Sequence, residues 1–265
     1  MELVDAHAHS DCLTWSNLEE MSMAGIRTVI SPLFLGGIKP VGNDVIVEMW
    51  DHLLEVQFPR CEASRIKPYG MVGISMVYTP KGDPEDLYRA LPEYLKKPGI
   101  VAIGEVGLEP ASPTCPDLKR QESILQRQID IARDAGVVVD CHVPNPPDQK
   151  RRFTERVLAL GKDVGQAPSR IVVDHCNGTN IKTALDAGAW AAITVQPWRG
   201  MTPEIAADLV LQYGGERIII DSDCGGNASD HLAVARTALA LERKGADEPL
   251  IQRVCAGNSR EAYGL

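Results

Sequence analysis

The chain has 265 residues, of which 44% are hydrophobic and 24% charged, a composition that supports a sizeable core and argues against disorder. Its formal net charge of −9 suits it poorly to holding a long polyanion on its surface, because non-specific nucleic-acid affinity comes from clustered Lys and Arg. No apolar run reaches the roughly 18 residues of a membrane span, the first residues lack signal-peptide character, and seven cysteines without a Cys-x-x-Cys spacing point to a reducing, cytoplasmic setting.

The first strand is expected at Leu3–Ala6, a short apolar run leading into His7-Ala8-His9. A helix over Asn17–Ala24, capped by Ser16 and ended by Gly25, precedes a β-branched strand over Arg27–Ser31. Leu33–Gly42 reads as a loop with Gly and Pro, Asp44–Ser64 as a long helix interrupted at Pro59, and Tyr69–Ile74 as the third strand. Asp83-Pro84-Glu85 opens a helix to about Lys97, with Asp as cap and Pro in the first turn. Strand four is Ile100–Gly104, and Asp117–Ala135 shows the clearest helical period, with Leu118, Ile124, Leu125, Ile129 and Ala132 on one side. Further strands are expected at Val137–Asp140, Ile171–Asp174, Ala191–Val195 and Ile218–Ile220. Helices near Asp148–Leu160, Asn180–Ala187 and Pro203–Tyr213 separate them, and Ser229–Arg243 and the segment from Pro249 onward are helical.

Eight mostly continuous apolar strands alternating with helices over about 250 residues predict an α/β fold, a (β/α)8 TIM barrel forming a single domain over residues 1–265. A doubly wound open sheet is the alternative, but the chain has no Gly-x-Gly-x-x-Gly or P-loop pattern to go with it.

Barrels of this kind carry their chemistry at the C-terminal ends of the strands. His7 and His9, two residues apart, can turn to one side of strand one. Glu105 follows strand four, His142 strand five, His175 strand six, and Asp221-Ser222-Asp223 strand eight. Four imidazoles and two carboxylates exceed the needs of one tetrahedral zinc with an open position. They suit two divalent ions bridged by a carboxylate and a water or hydroxide, a pair that activates water and clamps substrate oxygens. Glu105, on the middle strand of the set, is the expected bridge, and Asp223 the expected general base and ligand. Zinc is the first choice for so imidazole-rich a set, with magnesium or manganese as alternatives.

These motifs resemble the TatD-like metal-dependent hydrolases of the amidohydrolase superfamily. The resemblance runs from Asp5-Ala6-His7-Ala8-His9 through Gly104-Glu105-Val106-Gly107-Leu108, His142, His175 and Asp221-Ser222-Asp223 to a closing Asn258-Ser259-Arg260-Glu261 helix. It implies that His7, His9, Glu105 and Asp223 hold one metal and that Glu105, His142 and His175 hold the other. It also implies a phosphoester or related substrate. The departures lie around the ligands: Pro144 where the family often has Arg, Glu109-Pro110 where it has Asp, Cys176-Asn177-Gly178 after the strand-six histidine, and Cys224-Gly225-Gly226 after the strand-eight pair. They bear on the substrate more than on the metal.

Other residues read more plainly. His52 and His231 are expected to be structural or surface histidines; Cys141, Cys176 and Cys224 each neighbour an expected ligand, and strand alternation turns Cys141 and Cys176 away from the metal as small core residues. Asp5, Asp140 and Asp221 are candidate hydrogen-bond acceptors beneath the ligands. Trp198-Arg199 follows strand seven, where Arg could pair with a phosphate or carboxylate, or simply form a surface loop. The competing functions are hydrolysis of a small-molecule amide, ester or lactone, and a non-catalytic metal-binding barrel. Nucleic acid as a partner is disfavoured by charge, and a Schiff-base lyase by the lack of a lysine at any expected strand end.

Overall fold

In a computed structural model, which describes residues 1–34, 42–226 and 228–265, eight parallel strands pair strictly in chain order. They are β1 (Leu3–Asp5), β2 (Ile26–Ser31), β3 (Lys67–Val72), β4 (Ile100–Gly107), β5 (Val138–His142), β6 (Ile171–Val173), β7 (Trp190–Thr194) and β8 (Ile218–Asp221). The curl is drawn closed where β1 meets β8. There Asp223 N–H donates to the His7 carbonyl at 2.8 Å, and His9 N–H to the Cys224 carbonyl at 2.8 Å.

The helices are α1 (Trp15–Met23), α2 (Asn43–His52), α3 (Phe58–Ala63), α4 (Glu85–Tyr94), α5 (Leu118–Ala135), α6 (Pro147–Asp163), α7 (Ile181–Asp186), α8 (Pro203–Tyr213), α9 (Ala233–Arg243), α10 (Glu248–Gln252) and α11 (Asn258–Tyr263). Several boundaries differ from expectation for local reasons. Helix α1 is capped by Thr14, not Ser16, in a reciprocal box with Asn17. Pro59 does not break its helix. It sits in the first turn of α3, and the wide turn at Leu53–Gln57 immediately before it joins α2 to α3 without a break in the helical run. Helix α9 starts at Ala233, four residues later than expected from Ser229. Most of the expected Leu33–Gly42 loop lies outside the described residues. Among the described residues, no helix is long and apolar enough to cross a membrane.

Two apolar layers result. The larger lies between strands and helices; the smaller fills the barrel and includes Ile30, Met71, Val138, Val172, Trp190 and Ile219. Ala262 and Tyr263 of α11 join this inner layer, so the chain's last helix seals the barrel interior. The β4–β5 ladder shifts register between Ile103 and Val106 and resumes with Val106 opposite Cys141 and Gly107 opposite His142. Glu105 sits in that irregularity. Gly107 is required there: its φ is +145°, and a Cβ would lie 2.3 Å from the His142 carbonyl oxygen.

Candidate metal centre

The six expected residues converge at the C-terminal mouth of the barrel. The two carboxylates set the pattern. Glu105 Oε1 meets His142 Nδ1 at 3.0 Å and His175 Nε2 at 3.3 Å, while its Oε2 faces His7 Nε2 at 3.9 Å. Asp223 Oδ1 meets His9 Nε2 at 2.9 Å and stands 3.8 Å from His7 Nε2. Two groups of potential ligands therefore share Glu105: His7 and His9 on one side, His142 and His175 on the other.

The outward nitrogen of each ring is also met by oxygen. His9 Nδ1 contacts the Pro32 carbonyl at 3.3 Å, His142 Nε2 a Glu109 oxygen at 3.0 Å, and His175 Nδ1 the Thr194 hydroxyl at 2.8 Å. Asp174 Oδ2 lies 2.8 Å from His7 Nδ1. An acceptor on the outer nitrogen holds the proton there and leaves the inner nitrogen's lone pair free for a cation. His7 Nε2 is fully buried and has no hydrogen-bond partner, which a protein built without a cation here would avoid. The donor set thus fits divalent ions on both sides of Glu105.

Charge supports the same reading. Burial works against ionised Glu105, but hydrogen bonds from His142 and His175 and the field of His7 outweigh it and hold the carboxyl well below its usual range. Burial likewise opposes ionised Asp223, and its bond to His9 lowers it. Burial would lower His7, yet Asp174, Glu105 and Asp223 raise it well above an ordinary imidazole. His142 is raised to about 9 by Glu105 and Glu109 against the same burial. Surplus carboxylate charge is what draws protons to these rings, and bound cations would replace those protons.

Sequence reasoning missed four supports. Asp174 takes the orienting role expected of Asp5, Asp140 or Asp221: besides facing His7, its Oδ1 accepts from His175 N–H at 2.7 Å and from Thr194 Oγ1 at 3.1 Å. Asp5 instead ties β8 to β1 by accepting from Ser222 N–H and Oγ. Asp140 accepts from the Tyr263 hydroxyl inside the barrel, where burial and the charge of Asp174 push its carboxyl up to about 8. Asp221 is buried too, and burial pushes it well above the carboxylate range. Asp221 and Asp223 do not continue one strand face, because β8 ends at Asp221 and Asp223 turns outward with a φ of +45°.

The second support is Glu109, which reaches His142, and the third is Gln196, whose amide donates to Asp223 Oδ2 at 2.7 Å. The fourth is Lys150, buried in α6, which donates to the His175 carbonyl at 2.5 Å and so braces a residue held at a φ of +56°. Burial pulls its ammonium down to about 8. Asp174 could have been suspected from its place beside His175 at a strand end. Gln196 and Lys150 carry no comparable signal. His52 and His231 lie elsewhere, against Gln57 and Glu20, and Cys141, Cys176 and Cys224 are buried in the apolar layer outside the strands.

The profile of a family described as TatD related DNase matches residues 4–264. An uncharacterized metal-dependent hydrolase of Methanocaldococcus jannaschii is 28% identical over 263 residues, covering 99% of this chain and 100% of that protein. The crystal structure of a TatD-like protein from Archaeoglobus fulgidus superposes with a TM-score of 0.80 at 25% identity, covering 99% and 100% of the two chains. A phosphotriesterase homology protein from Escherichia coli, solved with phosphate in its active site, shares the fold with a TM-score of 0.70 at 14% identity, over 100% of this chain and 99% of that one.

Proposed function

The chain belongs to the TatD-related DNase family of metal-dependent hydrolases, and from that premise we propose that it cleaves a phosphoester or related bond with two divalent ions, zinc first among them. The observation that carries this reading is Glu105, whose two oxygens face separate imidazole groups. In this reading His7, His9, Glu105 and Asp223 hold one ion, and Glu105, His142 and His175 the other. Two such ions supply Lewis acidity and lower the pKa of water.

The protein's own groups do the rest. Asp223, held by Gln196 through one oxygen, keeps the other directed into the site as general base. His9, His142 and His175 are oriented by their outer hydrogen bonds, which limits reorganisation during the reaction. A small phosphoester suits the mouth better than a polymer. The mouth is a cavity of about 330 Å³, lined by Glu105, Glu109 and Asp223, on a chain of net charge −9. The Escherichia coli neighbour that shares the fold was solved with phosphate in its active site, which agrees with this reading.

Elemental analysis of purified protein, paired with a screen of phosphomonoesters, phosphodiesters, lactones and amides, tests the proposal. Two ions per chain are expected, with at least one lost in the His7→Ala/His9→Ala double variant. Unchanged metal in that variant refutes the site, and turnover of lactones or amides alone refutes the substrate class.

A further inference from the structure

A second cavity, about 300 Å³, lies beside the metal centre between the segments that follow β6 and β7. It shares Asn145, His175 and Arg199 with the mouth, so the two spaces meet around His175. Its walls differ in character. Asn145, Asn177, Gln196 and Arg199 supply polar groups, while Met201, Ile205 and Leu209, at and before α8, are apolar. A space of this size and mixed lining is that of a small-molecule subsite, not of an extended groove.

Arg199 is the pivot. Among the described residues it is the only Lys or Arg lining either cavity, and no carboxylate there pairs with it. Its guanidinium stacks over the Trp198 ring, 4.6 Å from the centroid, an arrangement that orients the fork without using its donors. Gly200, at a φ of +85°, ends the short Pro197–Arg199 turn that carries it. The other nearby cation, Lys150, is buried and engaged with the His175 carbonyl and Asn145. An anion entering past Glu105, Glu109 and Asp223 therefore meets one uncommitted protein cation.

We propose that this cavity is the substrate's second subsite, and that the substrate is a small organic phosphate. Arg199 binds its phosphoryl oxygens, and its apolar group lies against Met201, Ile205 and Leu209. The inference rests on the hydrolase reading above and adds to its small phosphoester an apolar substituent and the residues that hold each part. A guanidinium grips a phosphate through two parallel N–H···O bonds, a geometry an ammonium cannot reproduce.

The test is equilibrium binding of phenyl phosphate and of inorganic phosphate to the purified protein, with metal content measured on the same samples. Arg199→Met should weaken phenyl phosphate about tenfold or more, with metal content and thermal unfolding unchanged, and Arg199→Lys should recover only part of the loss. Ile205→Trp, which narrows the apolar wall, should weaken phenyl phosphate and spare inorganic phosphate. Phenyl phosphate binding within twofold of wild type in Arg199→Met overturns the subsite, as does its failure to bind the wild type at millimolar concentration. A sample lacking two ions that still shows the Arg199 effect refutes the dinuclear reading and leaves the subsite standing.

Discussion

Replacing Glu105 by Gln should be the most damaging single change at the metal centre. The substitution keeps the shape and one oxygen but removes the charge that faces three imidazoles, at 3.0, 3.3 and 3.9 Å. In the proposed site that carboxylate compensates two cations at once. Removing one partner of a buried charge pair costs about 3–5 kcal/mol, or about two to four decades in summed metal affinity at 1.36 kcal/mol per decade. Glu109→Gln is the control. Among the expected ligands Glu109 hydrogen-bonds only the outer nitrogen of His142, so its loss should lower affinity at one ion by about 10–100-fold and leave the other in place. Elemental analysis after gel filtration gives stoichiometry, and calorimetric titration of the stripped protein gives the two affinities. If Glu105→Gln keeps both ions and near-normal turnover, or if Glu109→Gln does equal harm, Glu105 is not a bridge.

Other outcomes follow from the same geometry. Asp223→Asn should retain part of its metal while turnover of any identified substrate drops by about 10² or more, with a smaller loss for Asp221→Asn; the reverse order in steady-state kinetics would misplace the base. Thr194→Val should weaken only the ion beside His175, by about 10–100-fold, whereas Asp174→Asn should disturb both, since it faces His7 and also holds His175 and Thr194; cobalt titration followed by visible absorption separates the two, and Thr194→Ser should restore the first. DNA should bind weakly, and nanomolar affinity for a short duplex with a steep salt slope would reveal a basic surface at odds with the net charge of −9. Asp51 accepts hydrogen bonds from the Tyr94 hydroxyl and from Lys97, and the Tyr94 bond chiefly lowers its carboxyl. A depressed folded pKa stabilises above the unfolded value of about 3.9 and is lost as pH falls through the folded one. Asp51 is 40% exposed, so solvent screens the pair, and Asp51→Asn should cost only about 0.2–1 kcal/mol at neutral pH and nothing once folded and unfolded forms are both protonated, as denaturant melts at the two pH values would show.

The sequence by itself determined the barrel and the positions from which its chemistry is presented. Continuous apolar runs such as Ile218–Ile220, buried on both faces, could only be parallel strands under helices, and period 3.6 over Asp117–Ala135 left one reading. His7, Glu105, His142, His175 and Asp223 were legible because chemistry at strand ends recurs in step with the βα repeat. What sequence could not decide was which oxygen faces which nitrogen. Asp174 follows β6 directly and Asp140 lies two residues before the end of β5, yet one faces His7 and the other the Tyr263 hydroxyl, 123 residues further along the chain. Gln196 and Glu109 join the site from loops after strands and Lys150 from α6, and their directions depend on packing. Arg199 has meaning only because two cavities meet beside it. Periodicity is a local property of the chain and survives in the sequence. Hydrogen-bond partnership and cavity shape arise between segments far apart in sequence, and only the closed barrel sets them.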